Sequence, residues 1–322
     1  MRAAGAKVGF RKAVTKRLKR VRRSLYPVGV DLAKSWALKL SDRGCQRWAG
    51  KLGRWAYFIL GRERERTFAH LRLALGGELS EREIRRIALG AFQNLAMTGL
   101  ELLRMDGPGG QRILEMIEVK GWEHVQEARE RGKGGIFVTG HMGNWELCAA
   151  YVAFRGLPMN VVARRIYVEA LDRELVSMRT RMGVRTLYRD RSMRIPLRCL
   201  KRNEFLGILP DQDVRRVGGM FVEFFGKPAY TPVGPALLAL ASGAPLLLAR
   251  DIRQQGRHLI TVDPPIYPNL DSPRDEEVRR LVCLYTHRLE QFVREHPDQW
   301  AWMHRRWRTT PEDVRLRGGP HS

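Results

Sequence analysis

Between residues 80 and 105 apolar positions recur at helical spacing, with Ile84, Ile87, Ala88, Ala91 and Leu95 on one face. Ser80 followed by Glu83 makes a capping box at the start of this stretch, so the pattern predicts a helix there. After Gly121 the period changes. Short apolar runs at 136–139, 159–163, 184–187, 205–209, 246–249 and 259–262 alternate with amphipathic segments. Several of these runs are apolar almost throughout, as expected of strands covered on both faces. The pattern therefore predicts an α/β fold: a mostly parallel twisted sheet flanked by helices, preceded by a helical, basic N-terminal region. The organisation expected is a basic tail over 1–24, a helical region over 25–120, an α/β core over 121–312 and a C-terminal tail over 313–322.

The longest uncharged run, 228–249, has the length of a membrane span. It carries Pro228, Pro232, Pro235 and Pro245 together with Gly234 and Gly243, and so predicts turn, helix and buried strand instead. Around Trp36, Trp48, Trp55, Tyr57 and Phe58 the apolar residues are interrupted by Lys39, Arg43, Arg47, Lys51 and Arg54. That mixture suits either a helix lying in a membrane interface or one packed on its own domain. Peripheral attachment is the membrane reading that remains.

Charge changes the picture. The 322 residues hold 58 Lys and Arg against 34 Asp and Glu, a net charge of +24. Ten of the basic residues fall within 1–24, and no acid precedes Asp31. Nucleic acid, an anionic membrane surface and an acidic protein all select such a tail. It lacks the continuous apolar segment of a secretory signal. Cys45, Cys148, Cys199 and Cys283 form no CxxC pair, so they read as core residues in a reducing compartment.

Ligands of open α/β sheets bind beyond the carboxyl ends of the strands, and the residues there are chemically rich. Gly140-His141-Met142-Gly143-Asn144-Trp145-Glu146 follows the first long run, Arg164-Arg165 the second, Pro210-Asp211-Gln212-Asp213 a later one, and Arg250 the run at 246–249. On one straight helix the five-residue step from His141 to Glu146 turns about 500°, leaving the side chains about 140° apart. They meet only if His141 lies in a strand-to-helix turn, which Gly140 and Gly143 permit, and Glu146 in the first turn of the helix. Glu146 would then fix the imidazole tautomer while the other ring nitrogen takes a proton from a hydroxyl.

The segment His141 to Glu146 resembles the H-x4-D/E motif of glycerolipid-type acyltransferases, in the form found in lipid A biosynthesis acyltransferases. Four further stretches strengthen the resemblance: Arg164 with Leu171-Asp172-Arg173 and Arg179; Leu209 to Asp213; Phe221 to Ala229 with Thr231 and Gly234; and Pro297 to Trp307. Together they run from about 53 to 311.

The resemblance implies an enzyme at the cytoplasmic face of the bacterial inner membrane, peripheral or monotopic. It would move a fatty acyl chain from acyl carrier protein to a hydroxyl of an anionic glycolipid, a lipid A precursor. His141 would be the general base and Glu146 its partner. Backbone N–H groups near Gly143 and Asn144, or an arginine, would stabilise the oxyanion. Arg164 and Arg179 would anchor phosphates, with Asn144, Asp211, Asp213 and Lys227 as further substrate-binding positions. No metal or cofactor is implied. Many members begin with a hydrophobic anchoring segment, whereas this chain begins with a basic tail. Acceptors of other kinds, such as phosphatidylinositol mannosides or lysophospholipids, fit the same motifs, and so does a thioesterase using water. A nucleic-acid-binding protein would explain the charge, but no zinc-finger or RNP signature is present.

Trp300, Trp302 and Trp307 with Arg305 and Arg306 read as an interfacial belt or as a packed lid. His304 among them is a further catalytic candidate.

Overall fold

The computed structural model describes residues 28–105, 107–189, 193–214 and 217–315. The basic tail over 1–24 and most of 313–322 lie outside them. Helical residues 28–38 (α1) lead into α2 (Asp42–Ile59), α3 (Gly61–Leu75) and α4 (Glu81–Arg104). α4 carries the capping box: the Ser80 hydroxyl accepts from the Glu83 N–H, and the Glu83 carboxylate accepts from the Ser80 N–H at 2.8 Å. Gly53 of α2 passes so near α4 that a Cβ there would lie 2.4 Å from the Gln93 Cα, which allows the two helices to pack with their backbones almost touching. Cys45, Ala49 and Leu100 fill the seam.

The rest of the chain runs α5 (Pro108–Glu115), β1 (Glu118–Lys120), α6 (Trp122–Glu130), β2 (Gly135–Val138), α7 (Trp145–Phe154), β3 (Met159–Ala163), α8 (Glu169–Arg181), β4 (Val184–Tyr188), α9 (Arg194–Lys201) and β5 (Phe205–Ile208). A hairpin, β6 (Gly219–Phe224) and β7 (Lys227–Pro232), follows. Then come α10 (Gly234–Ser242), β8 (Leu246–Gln254), β9 (Arg257–Val262), α11 (Arg274–Glu295) and α12 (Pro311–Arg315).

The seven strands lie in the order β1-β9-β8-β2-β5-β3-β4. All neighbours are parallel except β8 and β9. Ile136, Val138, Leu206, Leu246 and Leu248 point into one buried layer, and Phe137, Phe205, Leu247 and Ala249 into another. The central strands are thus covered on both faces, which is why their sequences lack polar alternation. The fold class is the one the pattern predicts. The 228–249 run divides into β7, α10 and the start of β8. Periodicity did not disclose β1, or the β6–β7 hairpin, whose pairing is local and whose residues are only partly buried. Among the described residues no helix is long and apolar enough to cross a membrane.

Three of the four cysteines are buried as expected; Cys283, on the outer face of α11, is exposed. Trp300, Trp302 and Arg306 are among the most deeply buried large side chains, so this segment packs into the body and does not form an interfacial belt. The Arg306 guanidinium donates to the Tyr230 carbonyl at 2.9 Å and the Thr231 hydroxyl at 2.7 Å, and lies 4.8 Å from the Phe224 ring centroid. Burial pushes its pKa down to about 10.

Candidate active site

β2 pairs with β5 in a register that sets Val138 opposite Ile208, and with β8 so that Val138 faces Leu248. Three residues beyond these partners stand His141, Asp211 and Asp251. The register therefore brings His141 beside Asp211 at the carboxyl end of β2 and β5, with Asp251 of β8 behind the turn that follows.

Asp211 is the carboxylate that holds His141. Its Oδ1 lies 2.8 Å from the ring Nδ1, and its Oδ2 accepts from the His141 backbone N–H at 2.7 Å and from the Trp300 indole at 2.9 Å. A buried carboxylate is costly without compensation; here these donors hold Asp211 well below the usual carboxylate range against the upward push of burial. Because an ionised carboxylate only accepts, the proton of a neutral His141 resides on Nδ1, and Nε2 carries the lone pair. The Gln212 amide nitrogen lies 3.0 Å from Nε2, placed to donate to it. The rings of Trp145 and His304 flank the imidazole at 4.9 and 4.8 Å between centroids. Burial, with His141 beside it, pushes His304 down to about 4, so it is neutral at ordinary pH.

Glu146 occupies a different place from the expected one. It lies in the first turn of α7, on the face turned towards α8, where Arg179 grips it with two hydrogen bonds of 2.8 and 2.6 Å. The Trp145 indole adds a third at 3.2 Å. Both members of the ion pair are buried, and a planar guanidinium suits the two carboxylate oxygens. Glu146 and Arg179 therefore meet each other: the expected partner of His141 and the expected phosphate anchor form a clamp between α7 and α8.

The turn carrying His141 is fixed from behind. Gly143 has φ +55°, and a Cβ there would lie 2.0 Å from the Asp251 carbonyl oxygen. Its N–H donates to the Gln299 carbonyl at 3.0 Å, and the Asn144 N–H to Asp251 Oδ2 at 2.7 Å. Both backbone groups expected to bind an oxyanion are thus already engaged. The Asn144 side chain is fully buried and donates to Glu101 at 2.9 Å, a supporting position away from solvent. Behind it His258 bridges Asp251 at 2.9 Å and Glu101 at 3.0 Å, and Arg253 completes the group through Glu101, Asn94 and Thr98. Two cations face two carboxylates, so the buried charge balances. Burial opposes protonation of His258, yet Asp251 and Glu101 raise it to about 9.

The other expected positions are dispersed. Asp213 is buried and accepts from the Thr309 N–H at 2.5 Å and its hydroxyl at 2.9 Å, tying down the C-terminal segment. Lys227 is exposed beside the hairpin turn. Arg164 is exposed at the end of β3, on the same rim as His141. Asp172 organises the loop that follows it, accepting from the Ile166 N–H at 2.7 Å and the Tyr188 hydroxyl at 2.5 Å. Among the described residues no group of His, Cys, Asp and Glu is arranged to hold a metal ion.

A mostly parallel sheet with helices on both sides thus carries, on its carboxyl rim, a histidine held by a buried carboxylate. The chain belongs to the bacterial lipid A biosynthesis acyltransferase family, whose model matches residues 16–309. It is 26% identical over 275 residues to the lipid A biosynthesis lauroyltransferase of Escherichia coli K12, covering 82% of this chain and 85% of that protein. It is 28% identical over 216 residues to a phosphatidylinositol mannoside acyltransferase of Mycobacterium tuberculosis H37Rv, covering 64% of this chain and 66% of that protein. The match to the Mycobacterium tuberculosis mannoside relatives therefore spans just under two thirds of their length.

Proposed function

We propose that the protein is a membrane-associated O-acyltransferase that moves a fatty acyl chain from acyl carrier protein to a hydroxyl of a lipid A precursor. The observation that carries this reading is the 2.8 Å contact of Asp211 with His141 Nδ1, which leaves Nε2 as a base on the sheet rim. Nε2 takes the proton of the acceptor hydroxyl as its oxygen attacks the thioester carbonyl carbon. The resulting imidazolium is stabilised by the Asp211 carboxylate. Collapse of the tetrahedral oxyanion breaks the C–S bond, and the departing sulfur receives the proton from Nε2. With the Gly143 and Asn144 N–H groups committed elsewhere, oxyanion stabilisation falls to side-chain donors beside Nε2, of which the Gln212 amide is one.

A second acceptor reading, a phosphatidylinositol mannoside, is favoured by the similarity to the mycobacterial proteins of that name. Incubating the protein in mixed micelles with acyl carrier protein thioester and each glycolipid, with products read by mass spectrometry, tests both. A His141-dependent gain of one acyl unit on either lipid supports acyl transfer and identifies the acceptor. Free fatty acid without acylated lipid would mean that water is the acceptor.

A further inference from the structure

A cleft of the molecule lies far from His141 in sequence and takes no part in the chemistry above. It has a volume of about 430 Å3, lies where α1 turns into α2, and is lined chiefly by Lys39, Ser41, Arg47, Trp48 and Lys51. Its three cations make no ion pair with any described residue; Lys51 Nζ instead lies 4.9 Å from the Trp48 ring centroid. The nearest acid in sequence, Asp42, is bound by Arg104 at 2.9 Å. Trp36 meets Trp48 edge-on at 5.2 Å, so the indole wall is held by α1.

The surroundings of the cleft are apolar. Along α2, Arg43, Arg47, Lys51 and Arg54 form one stripe at helical spacing, and Trp48, Trp55, Phe58 and Ile59 form a stripe beside it. Trp55 is 66% exposed and Phe58 65%, and Leu32 of α1 is 67% exposed. The opposite face of α2, with Cys45, Ala49 and Gly53, is buried towards α4, so the aromatic stripe is the face left over. Uncompensated cations around an indole-walled cleft, bordered by exposed apolar side chains, match one chemistry: an anionic phosphate attached to hydrocarbon.

We propose that this cleft binds the phosphate headgroup of a membrane glycerophospholipid, with the aromatic stripe entering the interface beside it. The inference rests on the membrane-associated reading above and adds to it a defined lipid site. An acidic protein would find the same cations, but it would have no use for an apolar border this exposed.

Flotation of the full chain with vesicles tests the proposal. The vesicles are phosphatidylcholine alone, phosphatidylcholine with phosphatidylglycerol, and phosphatidylcholine with oleate at equal surface charge. The Lys39→Gln/Arg47→Gln/Lys51→Gln variant is compared with a charge-matched control, Arg82→Gln/Arg85→Gln/Arg86→Gln. The control residues sit at the far end of α4, about 30 Å from the Arg104 end that meets Asp42.

The first variant is expected to lose binding to phosphatidylglycerol vesicles by about a hundredfold. The control should lose only a small factor, and the native protein should prefer phosphatidylglycerol to oleate. Equal losses in the two variants, or equal binding to phosphatidylglycerol and oleate, would overturn the site while leaving membrane attachment standing. No binding of the native protein to any vesicle would overturn the membrane reading itself. Retained vesicle binding with lost affinity for acyl carrier protein would assign the cleft to the donor instead.

Discussion

His141 and Asp211 stand at the same offset from two register-paired residues, Val138 and Ile208, on adjacent parallel strands, and their side chains meet at 2.8 Å. The pair is thus a product of sheet register, and its geometry is as rigid as the sheet. Asp211→Asn keeps the size of the group but loses the charge that stabilises imidazolium and fixes the Nδ1–H tautomer. It should lower kcat by about 10³-fold or more with little change in KM, measured by steady-state acyl transfer.

The Glu146–Arg179 clamp makes a separate prediction. Arg179→Ala leaves a buried carboxylate without its countercharge, held only by the Trp145 indole, and should destabilise the protein by about 3–5 kcal/mol in denaturant unfolding. Arg179→Lys keeps the charge but cannot span both oxygens, and should fall between the alanine variant and the native protein.

Gly143 tests the turn that aims His141. A left-handed φ and a Cβ only 2.0 Å from the Asp251 carbonyl oxygen both oppose any side chain there. Gly143→Ala should cost more than about 2 kcal/mol of stability and displace His141 from its carboxylate. A differential scanning calorimetry shift together with lost turnover is the expected outcome.

Two histidines shape stability against pH in opposite senses. His304, pushed down to about 4, binds fewer protons folded than unfolded, so stability should rise as pH increases from about 4 towards the ordinary value of 6.5. His258, raised to about 9, binds more protons folded, so its contribution is complete below 6.5 and is lost as pH rises through about 9. Each slope is at most about 1.4 kcal/mol per pH unit. Urea unfolding across this range should show a maximum near pH 6.5, and His258→Gln should flatten the alkaline limb.

Much of this fold could be read in the chain because a strand covered on both faces leaves an unbroken apolar run, and a capping box marks a helix start. The positions on the rim followed from those strand ends. The pairing of His141 did not, since proximity in sequence favoured Glu146, whereas the true neighbour is set by which strands lie side by side. Strand order is a long-range property: β2 and β5 are separated in sequence by α7, β3, α8, β4 and α9. The support behind Asn144 was hidden for the same reason, as Glu101, Arg253 and His258 come from α4, β8 and β9. His141 and Asp211 stand just past their strands, whereas Asp251 lies inside β8, so run ends did not point to it.

The central claim is that His141, braced by Asp211, is the base that deprotonates the acceptor hydroxyl, and single-turnover acyl transfer by variants of the pair tests it most directly. His141→Ala should abolish transfer while the folded circular dichroism spectrum is kept, and Asp211→Asn should slow the single-turnover step by about 10³-fold or more. Transfer that survives His141→Ala, or a single-turnover rate that Asp211→Asn leaves unchanged, would contradict the account.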